Sequence, residues 1–266
     1  MKEHLVLVCG LTILIHFIGI ISLAARIVGT RTHKLGTTLS LFNLISVISN
    51  VANTLQAPLL TKSIEHSINL GITPEIINFR YIIFCATIGT ILGAIAIPTV
   101  HRFMEKGVLI LYSKGSVFSV FASAFRVKTF THFIKSCTIP RLENIYRLKR
   151  FKDLNRTIIF LNVLVYAFLT VSVVSCLYAG CLNPNYRTTS LSLSGIAVGI
   201  GSLCFIVFIE PYNYSLTDKV IDGAETESFF RRHIVYVVVA RITGTIMGQL
   251  LFLPLSIFIS YISKII

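Results

Sequence analysis

The amino-acid sequence predicts an all-α fold: a polytopic membrane bundle of about six spans, arranged as an inverted three-plus-three repeat. Charged residues make up 13% of the 266-residue chain, against roughly 25% in a soluble domain. Mean hydropathy is +0.80. The charges that remain are gathered between long apolar runs, the pattern of a chain that crosses lipid. So little polar surface cannot cover a water-exposed globule, and no separate soluble domain is expected.

A spanning helix needs about 20 apolar residues. Six stretches supply them, at 5–25, 35–60, 81–100, 158–181, 191–209 and 234–262. The first is longer than the roughly 7–15-residue apolar core of a signal peptide, and Glu3 precedes it, so it is read as an uncleaved span.

Orientation follows from lysine and arginine. Of 24 such residues, the segments after the first, third and fifth spans hold 18, the opposite segments hold five, and Arg241 lies inside the sixth span. The basic side is expected in the cytoplasm, which puts both termini outside. The same rule accounts for the net charge of +13 without a nucleic-acid partner. Segment 101–156 holds twelve of the basic residues. It reads as a cytoplasmic linker whose part from 108 lies on the leaflet as an amphipathic helix. Each base there is worth about 1 kcal/mol against anionic lipid. A seventh span or a re-entrant pair is the other reading of this stretch.

The linker separates two halves, 1–100 and 157–266, that share landmarks in the same order. Arg31-Thr32 answers Arg187-Thr188, Pro58 answers Pro211, Gly89-Thr90-Ile91-Leu92-Gly93 answers Gly244-Thr245-Ile246-Met247-Gly248, and Pro98 answers Pro254. The separations stay within about 151–156 residues. An odd number of spans per half turns the second half over in the bilayer, an architecture of secondary transporters with a site near the interface of the halves. The glycine pairs, including Gly195 and Gly199, are expected to let helices approach closely.

Polar groups inside the spans suggest the site. Asn43, Ser46, Ser49, Asn50, Asn53 and Gln56 fall within an arc of about 140° on the second span. Carboxamides are costly against hydrocarbon, so this stripe is expected to face a helix or a wet cavity. Arg241, too costly to leave in lipid, is open to two readings: a structural ion pair with Glu210, or a cation for an anionic ligand. Arg26 and Arg31 either join it or anchor the topology.

Cys9, Cys85, Cys176 and Cys204 sit in apolar runs, where thiols act as small hydrophobes. No paired-cysteine or Cys/His spacing calls for a disulfide, metal or cofactor. The sequence holds no HExxH, no GxSxG and no phosphate-gripping glycine loop with lysine. Asp218, Asp222, Glu225 and Glu227 are expected in a solvated loop. A transporter is therefore favoured. A membrane enzyme acting on a lipid phosphate, or a non-transporting scaffold for envelope assembly, are the alternatives.

Arg26-x-x-Gly29-x-Arg31-Thr32, then Ser40-Leu41-Phe42-Asn43, Ala52-Asn53 and Gln56-Ala57-Pro58, resemble the Amj family of bacterial lipid II flippases. Glu210-Pro211 to Leu216-Thr217-Asp218 and Gly223 are similar to that family too, with Glu210 standing where an Asp is expected. The resemblance implies a multi-pass protein of the bacterial cytoplasmic membrane serving cell-wall biogenesis and cell shape. Its cargo would be undecaprenyl-pyrophosphate-linked peptidoglycan precursor, moved from the inner to the outer leaflet among membrane lipids. By their chemistry Asn43, Asn50, Asn53, Gln56, Arg241, Arg26, Arg31 and Glu210 are the candidate substrate-binding residues. Carboxamides bond sugar and peptide, and arginine forks onto phosphate oxygens.

Overall fold

In lipid a backbone must satisfy its own hydrogen bonds, which leaves apolar runs little choice but helix. The computed structural model of the chain describes residues 2–71, 74–116, 118–120 and 154–266, and it is built of helices. They are α1 (Lys2–Thr32), α2 (Leu35–Asn69), α3 (Ile76–Lys114), α4 (Arg156–Leu182), α5 (Arg187–Cys204), α6 (Glu210–Ile221) and α7 (Glu227–Ile265). A π-helical turn, Phe205–Ile209, joins α5 to α6 without a break. Six of the resulting rods are long and apolar enough to cross a membrane, as the sequence predicts.

Local signals set the helix ends. Asn155 Oδ1 accepts from Ile158 N at the start of α4, and Thr226 Oγ1 accepts from Phe229 N at the start of α7. Each fills one of the orphan donors of a first turn. Gly115 closes α3 in the left-handed conformation, φ 61°, which a side chain would resist.

The helices outrun the predicted spans. The third continues to Lys114, so Val108 and Leu111, expected at the start of a surface-lying helix, are buried within α3. They pack in a cluster with Leu23, Val28, Leu41 and Phe230. The remainder of the basic linker, 121–153, lies outside the described residues. Asp218 and Glu227 belong to α6 and α7 rather than to a loop, because the connection between those helices is short. Glu227 pairs with Arg231 one turn on.

Two close pairings dominate the packing. A Cβ placed on Gly89 would stand 2.4 Å from the Ile13 carbonyl oxygen, and one on Gly93 would stand 2.9 Å from that of Phe17. Both numbers rise together, so α3 lies parallel to α1, backbone against backbone. A Cβ on Gly244 would stand 2.7 Å from the Val163 oxygen, and Gly248 lies against Val171. α7 is thus parallel to α4. Between the pairs the sense reverses. Phe79 stacks on Phe252 with centroids 6.0 Å apart, Arg80 Nη1 donates to the Gln249 carbonyl oxygen at 3.2 Å, and Ile83 lies against Gly248, so α3 and α7 are antiparallel.

Gly195 and Gly199 break the expectation set by their spacing. Nothing lies within 4 Å of a Cβ at either position. α5 meets α4 through a different line, Ser190, Ala197 and Gly201, and turns these two glycines away from it.

Candidate functional site

α2 touches the bundle along a narrow seam. Leu41, Ala52, Gln56, Leu60 and Ser63 are buried on it, three to eleven positions apart in steps that keep one helical face. Ser49 Oγ reaches the Ile15 oxygen at 3.5 Å. Asn43, Asn50 and Asn53 lie on one shoulder of this seam, exposed at the bundle surface and without a side-chain hydrogen bond among the described residues. Val47, Ile48, Val51 and Leu55 lie on the other shoulder and are exposed as well. Gln56 parts from the three asparagines. It is buried, and its Nε2 donates to Thr12 Oγ1 of α1 at 2.9 Å.

Five turns after Asn43, on the same shoulder, Thr61 lines a cavity of about 150 Å³ between α2, α4 and α5. Ile64, Glu65, Leu177, Gly180, Arg187, Thr188 and Leu191 complete its wall. On α5 the shoulder that begins at Thr188 continues through Ser192, Gly195 and Gly199. The two helices therefore turn their small and polar shoulders to the side on which this cavity lies.

The arginines gather elsewhere, where α1, α6 and α7 meet. Arg241 of α7 is 2% exposed. Its Nη1 donates to the Gly19 carbonyl oxygen of α1 at 2.9 Å. Its guanidinium lies 4.4 Å from the Tyr166 ring centroid and 5.7 Å from that of Phe205, within cation–π range of both. Glu210, its partner in one of the two sequence readings, does not take it. Arg26 Nη2 of α1 donates to Glu210 Oε2 of α6 instead, and the Tyr214 ring lies 4.5 Å from the Arg26 guanidinium carbon. The swap follows from register. Gly19, which Arg241 meets, and Arg26 are seven residues apart on α1, a rise of about 10 Å between their Cα positions.

Beside Arg26, His233 Nε2 donates to Asn213 Oδ1 at 2.9 Å, and both side chains are buried. Glu210, Asn213 and Thr217 share one face of α6 by their three- and four-residue spacing. Arg26 Nη1, Asn213 Nδ2, His233 Nδ1 and Arg241 Nε are buried without a hydrogen-bond partner among the described residues. Polar groups so placed are rarely left unpaired, and the first, second and fourth are donors. The cluster therefore holds two guanidinium groups against one carboxylate, with spare donors for an anion.

Arg31 stands apart from this cluster, its Nη1 3.9 Å from Glu105 Oε2 of α3 and both side chains partly exposed. The structure thus brings Arg26, Glu210 and Arg241 into one region and leaves Arg31, Gln56 and the three asparagines outside it. Tyr166, Phe205, Asn213, Tyr214 and His233 are members that the sequence argument did not single out. Asn213 and Tyr214 were within reach of it, one turn past Glu210. Tyr166 and Phe205 carry no mark that separates them from any aromatic in an apolar run.

Six membrane-length helices that enclose charged groups where α1, α6 and α7 meet define a multi-pass membrane protein. The chain belongs to the Amj family: the family model described as "Amj: Alternate to MurJ" matches residues 11–263. It is 30% identical to the protein named "Lipid II flippase Amj" of Bacillus subtilis (strain 168), over 95% of this chain and 94% of that one. No solved structure matches the chain.

Proposed function

We propose that this protein is a flippase that carries lipid-linked peptidoglycan precursor, lipid II, from the inner to the outer leaflet of the bacterial cytoplasmic membrane. The observation that carries the reading is the pair of buried arginines, Arg26 and Arg241, set against the single carboxylate Glu210 inside an apolar bundle. An excess positive charge at that depth is expensive, and a pyrophosphate compensates it. The relative's name supplies the lipid.

The head group bears pyrophosphate, sugars and peptide, and the residues divide accordingly. Arg26 and Arg241 are two stations for the pyrophosphate. Asn43, Asn50 and Asn53, without side-chain partners among the described residues, offer amides to sugar and peptide. The polyprenyl chain stays in lipid. The helix directions support reading 1–100 and 157–266 as inverted repeats, with α3 and α7 antiparallel at their junction. The charge distribution supports a cytoplasmic linker and outward termini, with Arg26 at the inner end and the cavity by Thr61 and Arg187 at the outer end.

The decisive measurement is leaflet-resolved detection of lipid-linked precursor in cells depleted of other flippases. The wild-type protein should restore precursor at the outer leaflet. Asn50→Leu should fail to do so while accumulating normally, because an apolar side chain there suits lipid. Unchanged precursor distribution with the wild-type protein present would overturn the reading.

A further inference from the structure

Glu210 holds a position at odds with that of a ligand for an anionic head group, since it repels phosphate. We propose that Glu210 is a displaceable counter-ion: the substrate's pyrophosphate replaces it on Arg26, and loss of the pair releases α6 from α1. The inference rests on the flippase reading above.

Three features support it. The Arg26–Glu210 bond uses one Nη of a guanidinium that presents two, and the other is buried and unpartnered among the described residues. A carboxylate held through one oxygen leaves that fork half used, whereas phosphate oxygens engage both branches. Asn213, one turn beyond Glu210, is 1% exposed, and its Nδ2 has no acceptor. It adds a donor on the same face, suited to an oxygen-rich anion and without use to a carboxylate already bound.

The pair is also placed to report its own loss. Arg31–Glu105 joins α1 to α3, and Arg231–Glu227 lies within α7. Arg26–Glu210 instead ties the first three helices to the second group. Immediately before Glu210 stands the π-helical turn Phe205–Ile209, and Pro211 follows it. A π turn departs from the regular ladder of the helix, and proline removes a donor from it. The rod is therefore weakest beside the residue whose bond is broken, and α6 can move while α5 stays on α4.

The test uses full-length protein in nanodiscs, with farnesyl pyrophosphate as probe and farnesol as the uncharged control. Wild type should bind the pyrophosphate in preference to the alcohol. Glu210→Gln should bind it about tenfold more tightly, one factor of ten per 1.4 kcal/mol, because the competing carboxylate is gone. Arg26→Gln should lose that binding, and Arg26→Lys, which keeps the charge, serves if the glutamine variant does not fold. Hydrogen exchange across 210–221 should rise in wild type when the probe is added, and should already be high in Glu210→Gln without it. Equal or weaker binding by Glu210→Gln, or exchange in α6 indifferent to the probe, overturns the proposal. No binding by wild type or any variant overturns it too. The precursor measurement in cells, which does not depend on Glu210, decides the broader reading separately.

Discussion

Arg241 of α7 is held by the main-chain oxygen of Gly19, 2.9 Å from its Nη1, while Ser22 Oγ lies 3.4 Å from the same nitrogen. A carbonyl neutralises no charge, so the guanidinium stays a cation in the middle of the bundle. It packs against the Tyr166 and Phe205 rings, which stand edge to face to each other, rather than being matched by an acid.

That arrangement predicts how substitutions at Arg241 behave. Arg241→Gln should abolish precursor export with protein abundance near normal, since the Gly19 oxygen keeps its place in the α1 ladder. Arg241→Lys keeps the charge but not the planar guanidinium that packs against the Tyr166 ring. Its export should fall about tenfold, in line with about 1–2 kcal/mol of stacking. Adding Glu210→Gln to Arg241→Gln should restore nothing. Recovery of abundance in that double variant would return Glu210 to the role of Arg241's partner.

The glycines sort by what surrounds them. Gly89→Ala and Gly244→Ala drive a methyl group into a neighbouring backbone, which cannot yield as a side chain can. Each should cost about 1–3 kcal/mol and lower protein abundance. Gly195→Ala and Gly199→Ala face open space and should stay within about 0.5 kcal/mol of wild type. Thermal unfolding in detergent, read against abundance in the membrane, separates the two classes. Equal losses at all four positions would refute the packing described for α5.

Gln56 and Thr12 supply a cross-helix bond whose worth can be measured. A double-mutant cycle with Gln56→Leu and Thr12→Val should give a coupling of about 0.6 kcal/mol, the average for such bonds in membranes. Thr12 Oγ1 also donates to the Val8 oxygen at 2.8 Å, so it is not orphaned when Gln56 is lost. A coupling indistinguishable from zero would mean that the Gln56–Thr12 bond does not help to hold α2 on α1.

The spans were readable from sequence because their cause is local. Apolar runs of sufficient length must be helical in lipid, and the six runs are six rods. Gly89 and Gly244 were readable as close-packing positions for a similar reason, since nothing bulkier fits there. Gly195 and Gly199 have the same spacing but lie off the line Ser190–Ala197–Gly201, which only the neighbouring helix defines. The carboxamide stripe was visible as a stripe, yet the departure of Gln56 from it depends on Thr12 standing opposite. Arg241 was recognisable by its cost, and its partners were not. Which acid or carbonyl it meets is settled by the vertical register of α1 against α7, a property of two helices that neither sequence carries by itself.

The turn at Phe205–Ile209 sets the rotational phase of everything after it. Continued from Ser190, Ala197 and Gly201 in a regular helix, the inward line would pass through Phe208, Tyr212, Ser215 and Lys219. The buried residues are instead Ile209, Asn213, Leu216, Thr217 and Val220, all but Thr217 one place later. A single additional residue in the turn has rolled α6 by about 100°. α2, whose buried line runs from Leu41 to Ser67 without such a step, keeps one phase along its length. The extra residue thus keeps the Lys219 side chain out of the bundle and carries Asn213 in to meet His233. Deleting it would lengthen no loop and remove no charge, yet it would re-address every side chain of α6.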